Sequence, residues 1–287
     1  MSKPPKSNPP KSGDRPPIPA RVGPKAAEDE DAKAASDGSG LTLRAMLPNA
    51  ITAAALCAGL TGVRFAIEGQ WVYAVLAVIL AGVLDGIDGR IARLLNAQSR
   101  FGAELDSLAD ALSFGMAPAL ILYMWSLSDL DRFGWFAALA FAICCALRLA
   151  RFTARIDVED QPHRSAGFLT GVPAPVGAGL AFTPCYLWIE TGMPIFRDPV
   201  VLAIWLSVIA VLLISNMATL SWAAIRPRRD ARLPLLAVAA LGFAALLLEP
   251  WWSLTAISAV YLLLMPYGLV KYGRIKRRRA AESNAKT

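Results

Sequence analysis

The chain has 287 residues, 55% of them apolar and 18% charged, with a net charge of +7 and a mean hydropathy of +0.45. Soluble domains hold about 45–50% apolar and about 25% charged residues, so a soluble enzyme, a disordered scaffold and a nucleic-acid module are excluded as first readings. The positive surplus sits at one place: from Lys271 onward there are seven Lys/Arg against Glu282 alone, which reads as an anchor for anionic headgroups and not as a nucleic-acid surface.

Along the chain, residues 1–40 carry eight prolines before Lys25 and then a short acidic run, and their seven Lys/Arg nearly balance six Asp/Glu. No apolar periodicity offers the burial that would offset ordering entropy, so a disordered Pro-rich tail is predicted over 1–45. Eight apolar segments come next, near 47–67, 70–95, 104–127, 134–153, 171–190, 199–219, 232–249 and 251–270. Each holds about the 20 apolar residues that cross a hydrocarbon core of about 30 Å. The last two are parted only by Glu249-Pro250, which leaves one long kinked element as an alternative.

The connections alternate in charge. One set carries Arg100, then Arg151, Arg155 and Arg164, then Arg226, Arg228, Arg229 and Arg232, then the basic C-terminus. The other carries Glu68, then Asp129, Asp131 and Arg132, then Glu190, Arg197 and Asp198, then Glu249. The expected fold is an all-α integral membrane protein of about eight transmembrane helices with both termini cytoplasmic. Cys57, Cys144, Cys145 and Cys185 fall in apolar segments without a C-x-x-C pair and read as small buried hydrophobes. His163 is the only histidine, which excludes a H-E-x-x-H zinc site.

The second and third segments carry the chemistry. A carboxylate deep in a span costs about 2.5–3.5 kcal/mol on insertion scales, yet Asp85, Asp88, Asp106 and Asp110 fall within 26 residues. On helices, Asp85, Asp88 and Ala92 share one face, with Gly89 and Arg93 a turn beyond, and Asp106 and Asp110 share another. A short connection makes the two helices antiparallel neighbours, so both acidic faces can converge near the cytoplasmic boundary. Four converging carboxylates repel unless cations neutralise them, and hard oxygen ligands suit two Mg²⁺ or Mn²⁺ ions and phosphoryl chemistry. Gly86, Gly89 and Gly102 leave room for a bulky anion, and Arg93 offers a phosphate a bidentate fork. Taken singly, these residues have plainer readings: Gly82 and Gly86 as a tight helix-packing pair, Arg90 and Arg93 as inside charges, Asp106 as a cap. No packing role needs all four aspartates at these spacings.

The pattern D-x2-D-G-x2-A-R-x8-G-x3-D-x3-D is met by Asp85, Asp88, Gly89, Ala92, Arg93, Gly102, Asp106 and Asp110. It resembles the signature of the CDP-alcohol phosphatidyltransferase family. The resemblance implies an integral-membrane enzyme that moves a phosphatidyl group from CDP-diacylglycerol to an alcohol and releases CMP. It implies that Asp85, Asp88, Asp106 and Asp110 hold two divalent ions, Mg²⁺ or Mn²⁺, and that Asp110 is the general base. Gly89 and Arg93 would contact the cytidine diphosphate, with Asn49 and Thr52 as first-helix nucleotide contacts and Ser99 as a weaker one. Flanking runs, Phe101 to Pro118, Arg148-Leu-Ala-Arg151-Phe152, Gly171-Val-Pro-Ala-Pro175 and Ser215-Asn-Met-Ala-Thr-Leu-Ser221, resemble the serine-accepting bacterial branch. Two departures from that branch, Ala218-Thr219-Leu220-Ser221 and Gly171-Val172-Pro173, are conservative. The resemblance covers roughly residues 45–225, and the tail and last two spans add little to it.

The implied organisation is a tail at 1–45, a catalytic core at 46–225, two C-terminal transmembrane helices at 226–270 and a basic tail at 271–287. The implied place is the inner membrane of the cell, with the site on the cytoplasmic side. L-serine is the implied acceptor and a homodimer the implied assembly. Arg148 and Arg151, one turn apart, read either as the anchor for the acceptor's carboxylate or as positive-inside charges, with Arg155 a weaker candidate. Pro173 and Pro175 read as a break that opens a lipid-side cleft or as a simple kink. Other acceptors (glycerol 3-phosphate, inositol phosphate, choline) keep the same core. A divalent-cation transporter predicts acidic residues through the full depth of several spans, whereas these cluster at one side of two. A non-catalytic scaffold leaves the eight-position signature unexplained.

Overall fold

Apolar runs of this length, with their backbone groups bonded internally, form helices, and helices dominate the fold. The structure, a computed structural model, describes residues 43–95, 97, 99–154, 168–170, 172–215, 218–220 and 232–265. The expected tail before these residues, Arg155, His163 and the basic C-terminal tail lie outside the described residues.

Helix α1 (Leu43–Ile67) begins a turn earlier than expected, and α2 (Trp71–Leu94) is reached through a tight turn. Gly69 takes φ 74° there, while its N–H bonds to Ala66 and that of Gln70 to Phe65. This is the left-handed helix end that glycine adopts without steric cost, and it turns α2 back antiparallel to α1. The two helices close tightly: a Cβ on Gly62 would lie 2.9 Å from the carbonyl oxygen of Ala74.

Helix α3 runs Arg100–Trp125 with a π-helical stretch at Ala111–Met116. It opens on Ser99, whose side chain accepts from the N–H of Gly102 at 3.0 Å. Helix α4 (Asp131–Ala154) completes the set long and apolar enough to cross a membrane, which numbers four among the described residues. At the end of the bundle away from the aspartates, Arg197 clamps the chain. Its Nε donates to the Trp125 carbonyl at 3.2 Å, its own carbonyl accepts from Ser126 Oγ at 2.7 Å, and its guanidinium covers the Trp188 ring at 5.2 Å.

The fifth segment, expected near 171–190, is interrupted. That segment is two short helices, α5 (Ala174–Ala181) and α6 (Thr183–Thr191), because Pro184 has no N–H to continue the ladder. The carbonyl of Leu180, four residues before it, takes the indole N–H of Trp205 instead, at 2.9 Å. Trp205 belongs to α7 (Pro199–Ile214), which Asp198 caps by accepting from Val200 and Val201 at 2.9 and 3.0 Å with Pro199 at the first helical position.

The spans are helical as expected, and one small sheet element accompanies them. A short antiparallel ribbon joins β1 (Phe168–Thr170) to β2 (Ala218–Leu220), with Leu169 opposite Thr219. It pairs segments that adjoin or belong to two of the flanking runs. Beyond it lie α8 (Arg232–Leu248) and α9 (Pro250–Met265), parted at Glu249-Pro250 as expected. Helices α7 to α9 are shorter than the four long ones.

The core gathers where α3, α4, α5, α6 and α7 meet, around Phe114, Trp125, Phe141, Phe182, Tyr186 and Leu206, and α9 adds Met265 to it. Trp251 stacks on Tyr186 with centroids 6.1 Å apart. The four cysteines are free, but the expectation that all are buried is corrected: Cys145 and Cys185 are buried, Cys144 is half-buried and Cys57 is exposed.

Candidate functional site

The antiparallel run of α1, α2, α3 and α4 brings the start of α1, the end of α2, the start of α3 and the end of α4 to one end of the bundle. The i, i+3 spacing on α2 and the i, i+4 spacing on α3 then aim carboxylates at each other. One oxygen from each of Asp85, Asp88 and Asp106 lies within 4.8 Å of the others. Asp110 stands beside this trio, within hydrogen-bonding reach of Asp85.

Asp88 is the most enclosed, with 3% of its surface exposed. Thr52, itself buried, donates its hydroxyl to Asp88 Oδ2 at 2.6 Å and lies 3.1 Å from the Pro48 carbonyl. A charge-assisted bond of this kind fixes one carboxylate oxygen and leaves the other for a ligand. Among the described residues no Lys or Arg forms an ion pair with any of the four aspartates. Closely spaced hard oxygens of this kind are a donor set that fits Mg²⁺ or Mn²⁺.

The residues around the carboxylates divide by what they touch. Gly86 meets nothing within 4 Å of an added Cβ, and Gly89 meets only the tip of Arg93 at 3.9 Å, so a ligand can approach the backbone there. Gly102 differs: a Cβ would lie 2.8 Å from Asn49 Oδ1, so its bareness admits the side chain of Asn49 from α1 and not open space. Asn49 Nδ2 is buried with no hydrogen-bond partner, a donor left over for a bound group. Ser99 is occupied in capping α3. Arg93 is exposed and bonds through Nε to the Gly89 carbonyl at 2.7 Å.

Arg148 and Arg151 part company. Arg148 lies near Asp110, Cys145 and Tyr261, and its Nε is buried with no hydrogen-bond partner. Arg151 donates to the Ile214 carbonyl at 3.1 Å and so ties α4 to the end of α7. Tyr261 was not among the expected site residues. Its signal in the sequence is a phenol midway along the apolar last span, where a buried hydroxyl wants a polar neighbour.

The family model described as CDP-alcohol phosphatidyltransferase matches residues 45–215. A second, CDP-alcohol phosphatidyltransferase 2, matches residues 230–266, so α8 and α9 carry a family likeness of their own. A protein of Mycobacterium tuberculosis (strain ATCC 25618 / H37Rv) named CDP-diacylglycerol--serine O-phosphatidyltransferase is 39% identical over 224 residues, 78% of each chain. Proteins of the same name from Helicobacter pylori (strain ATCC 700392 / 26695) and Bacillus subtilis (strain 168) are 39% and 36% identical. They match over 47% and 45% of this chain and 55% and 69% of their own.

Proposed function

Because the chain belongs to the CDP-alcohol phosphatidyltransferase family, we propose that it transfers the phosphatidyl group of CDP-diacylglycerol to the hydroxyl of L-serine, giving phosphatidylserine and CMP. The observation that carries the reading is the convergence of Asp85, Asp88 and Asp106 within 4.8 Å inside the family signature.

Asp85, Asp88, Asp106 and Asp110 would hold two divalent ions. When bound, such ions supply positive charge to the diphosphate and to the leaving CMP. The chain's own residues do the rest. The serine hydroxyl oxygen attacks the β-phosphorus, a new P–O bond forms, the bond from that phosphorus to the bridging oxygen breaks, and CMP leaves. Asp110, beside Asp85 and facing Arg148, takes the hydroxyl proton as general base. Thr52 holds Asp88 in one orientation. Asn49 Nδ2 and the open backbone at Gly86 and Gly89 receive the cytidine diphosphate, with Arg93 at its rim. Arg148 anchors the serine carboxylate, and Arg151 supports it by holding the end of α4. No paired nucleophile is required, so the transfer is direct.

The alternation of loop charge supports eight passes through the membrane, both termini in the cytoplasm and the site at the cytoplasmic side of the inner membrane. The broken pair α5 and α6 would then make one crossing. The division into a core at 46–225, two further helices at 226–270 and terminal tails goes with this reading. The homodimer rests on the family resemblance.

The test is CMP release by the purified, detergent-solubilised protein given CDP-diacylglycerol and Mn²⁺ or Mg²⁺. Serine, glycerol 3-phosphate, inositol phosphate and choline are offered separately. Release with serine alone is the expected result. Release with another acceptor overturns the acceptor, and no release with any of them overturns the reaction.

A further inference from the structure

Directly after Asp110, α3 leaves α-helical bonding. Ala111–Met116 is π-helical, and the N–H of Ala117 bonds to the carbonyl of Leu112, five residues back. A π-turn admits one extra residue, which rotates the helix on its N-terminal side by about 100° against the helix on its C-terminal side. On the N-terminal side lies the face with Asp106 and Asp110. On the C-terminal side lies Ala117–Trp125, where Ala117, Pro118, Ala119, Ile121, Leu122 and Trp125 are all buried. An unbroken α-helix could not keep both faces where they are.

The widened turn is seated on neighbouring helices. A Cβ on Gly59 of α1 would lie 2.6 Å from Ser113 Oγ, 2.8 Å from its Cβ and 2.9 Å from its Cα. On the other side, a Cβ on Gly115 would lie 3.3 Å from that of Cys145 on α4. Ser113 is 1% exposed and its hydroxyl has no hydrogen-bond partner, so its contact with Gly59 is one of shape. Helices α1 and α4 thus grip the turn of α3 immediately after Asp110.

We infer that Gly59 and Ser113 are positioning residues: their close contact seats the π-turn of α3 against α1 and so aims Asp106 and Asp110 at Asp85 and Asp88. The inference rests on the reading of these aspartates as the metal-holding and catalytic set. Its rival is that the bare Gly59 serves helix packing alone.

The experiment compares the full-length wild type with Gly59→Ala, Gly62→Ala and Gly59→Ala/Ser113→Gly. Mn²⁺ affinity is read by EPR titration, kcat from CMP release, and stability by thermal unfolding in detergent. Gly62→Ala is the packing control, because it crowds the Ala74 carbonyl on α2 and not the π-turn. Gly59→Ala is expected to lose Mn²⁺ affinity and kcat by about 10–100-fold, the range for groups that orient metal ligands. Gly62→Ala should lose stability with Mn²⁺ affinity unchanged, and the double variant should regain only part of the loss, because Ser113→Gly removes Oγ and Cβ but leaves the Cα, 2.9 Å from the new methyl. Gly59→Ala that binds Mn²⁺ like the wild type, or a loss shared equally by Gly62→Ala, overturns the inference. Should Gly59→Ala not fold, Ser113→Val crowds the same contact from the other side and is judged by the same outcomes. A wild type that neither binds Mn²⁺ nor releases CMP defeats the reading of the site instead.

Discussion

Thr52 and Asp88 meet across the α1–α2 interface, hydroxyl to carboxylate at 2.6 Å, and both are buried. The contact joins the first helix to the clustered carboxylates. Thr52→Val keeps the β-branched shape and removes the donor, leaving one Asp88 oxygen without its partner. A hydrogen bond to a charged group is worth about 1.5–3 kcal/mol, and outer groups that orient ligands change metal affinity by about 10–100-fold. Mn²⁺ titration should show a loss in that range, with Thr52→Ser near wild type. A Thr52→Val protein with wild-type Mn²⁺ affinity would leave Thr52 as packing only.

Asp85 and Asp110 are neighbours, and the proposed function gives them different parts. Mn²⁺ should raise the unfolding temperature of the wild type, because a ligand that binds only the folded state stabilises it by mass action, and Asp106→Asn or Asp85→Asn should abolish that rise. Asp110→Asn should retain a weakened Mn²⁺ response and lose about 10²–10⁴-fold in kcat, the usual worth of a positioned base. Equal loss of the Mn²⁺ response in all three would make Asp110 a ligand and nothing more.

How much the sequence disclosed depends on which signals are local. The i, i+3 and i, i+4 spacings of the aspartates, with a short link between their helices, were enough to bring Asp85, Asp88 and Asp106 together. The Thr52 bond was hidden because it spans 36 residues and depends on how α1 and α2 rotate against each other. The break at Thr183-Pro184 was open to view, yet an apolar window passes over one proline. Its consequence depends on Trp205, 25 residues beyond Leu180. The π-turn has no compositional mark, since a slip from i→i+4 to i→i+5 leaves the apolar content of Ala111–Met116 unchanged.

Arg148 and Arg151 can be told apart by kinetics. Arg148→Ala should raise KM for serine about 10-fold or more, as loss of a charge-assisted anchor does, and leave KM for CDP-diacylglycerol in place. Arg148→Lys should fall short of wild type, because an ammonium cannot form the planar fork. Arg151→Ala should lower the unfolding temperature with KM for serine little changed, since it frees the Ile214 carbonyl. A serine KM that responds to Arg151 and not to Arg148 would reverse the assignment.

The bond from Trp205 to the Leu180 carbonyl repairs the break that Pro184 makes, far from the aspartates. Trp205→Phe keeps an aromatic ring in the core but leaves a carbonyl between α5 and α7 with no donor. Such an orphan costs about 1–3 kcal/mol. Thermal unfolding in detergent should therefore shift down, while kcat and Mn²⁺ affinity at low temperature stay at wild-type values. Pro184→Ala supplies the missing N–H, so the double variant Pro184→Ala/Trp205→Phe should recover stability that Trp205→Phe alone loses. Recovery would show that the broken fifth segment is held by this one substitute donor. No recovery would place the worth of Trp205 in the packing of its ring.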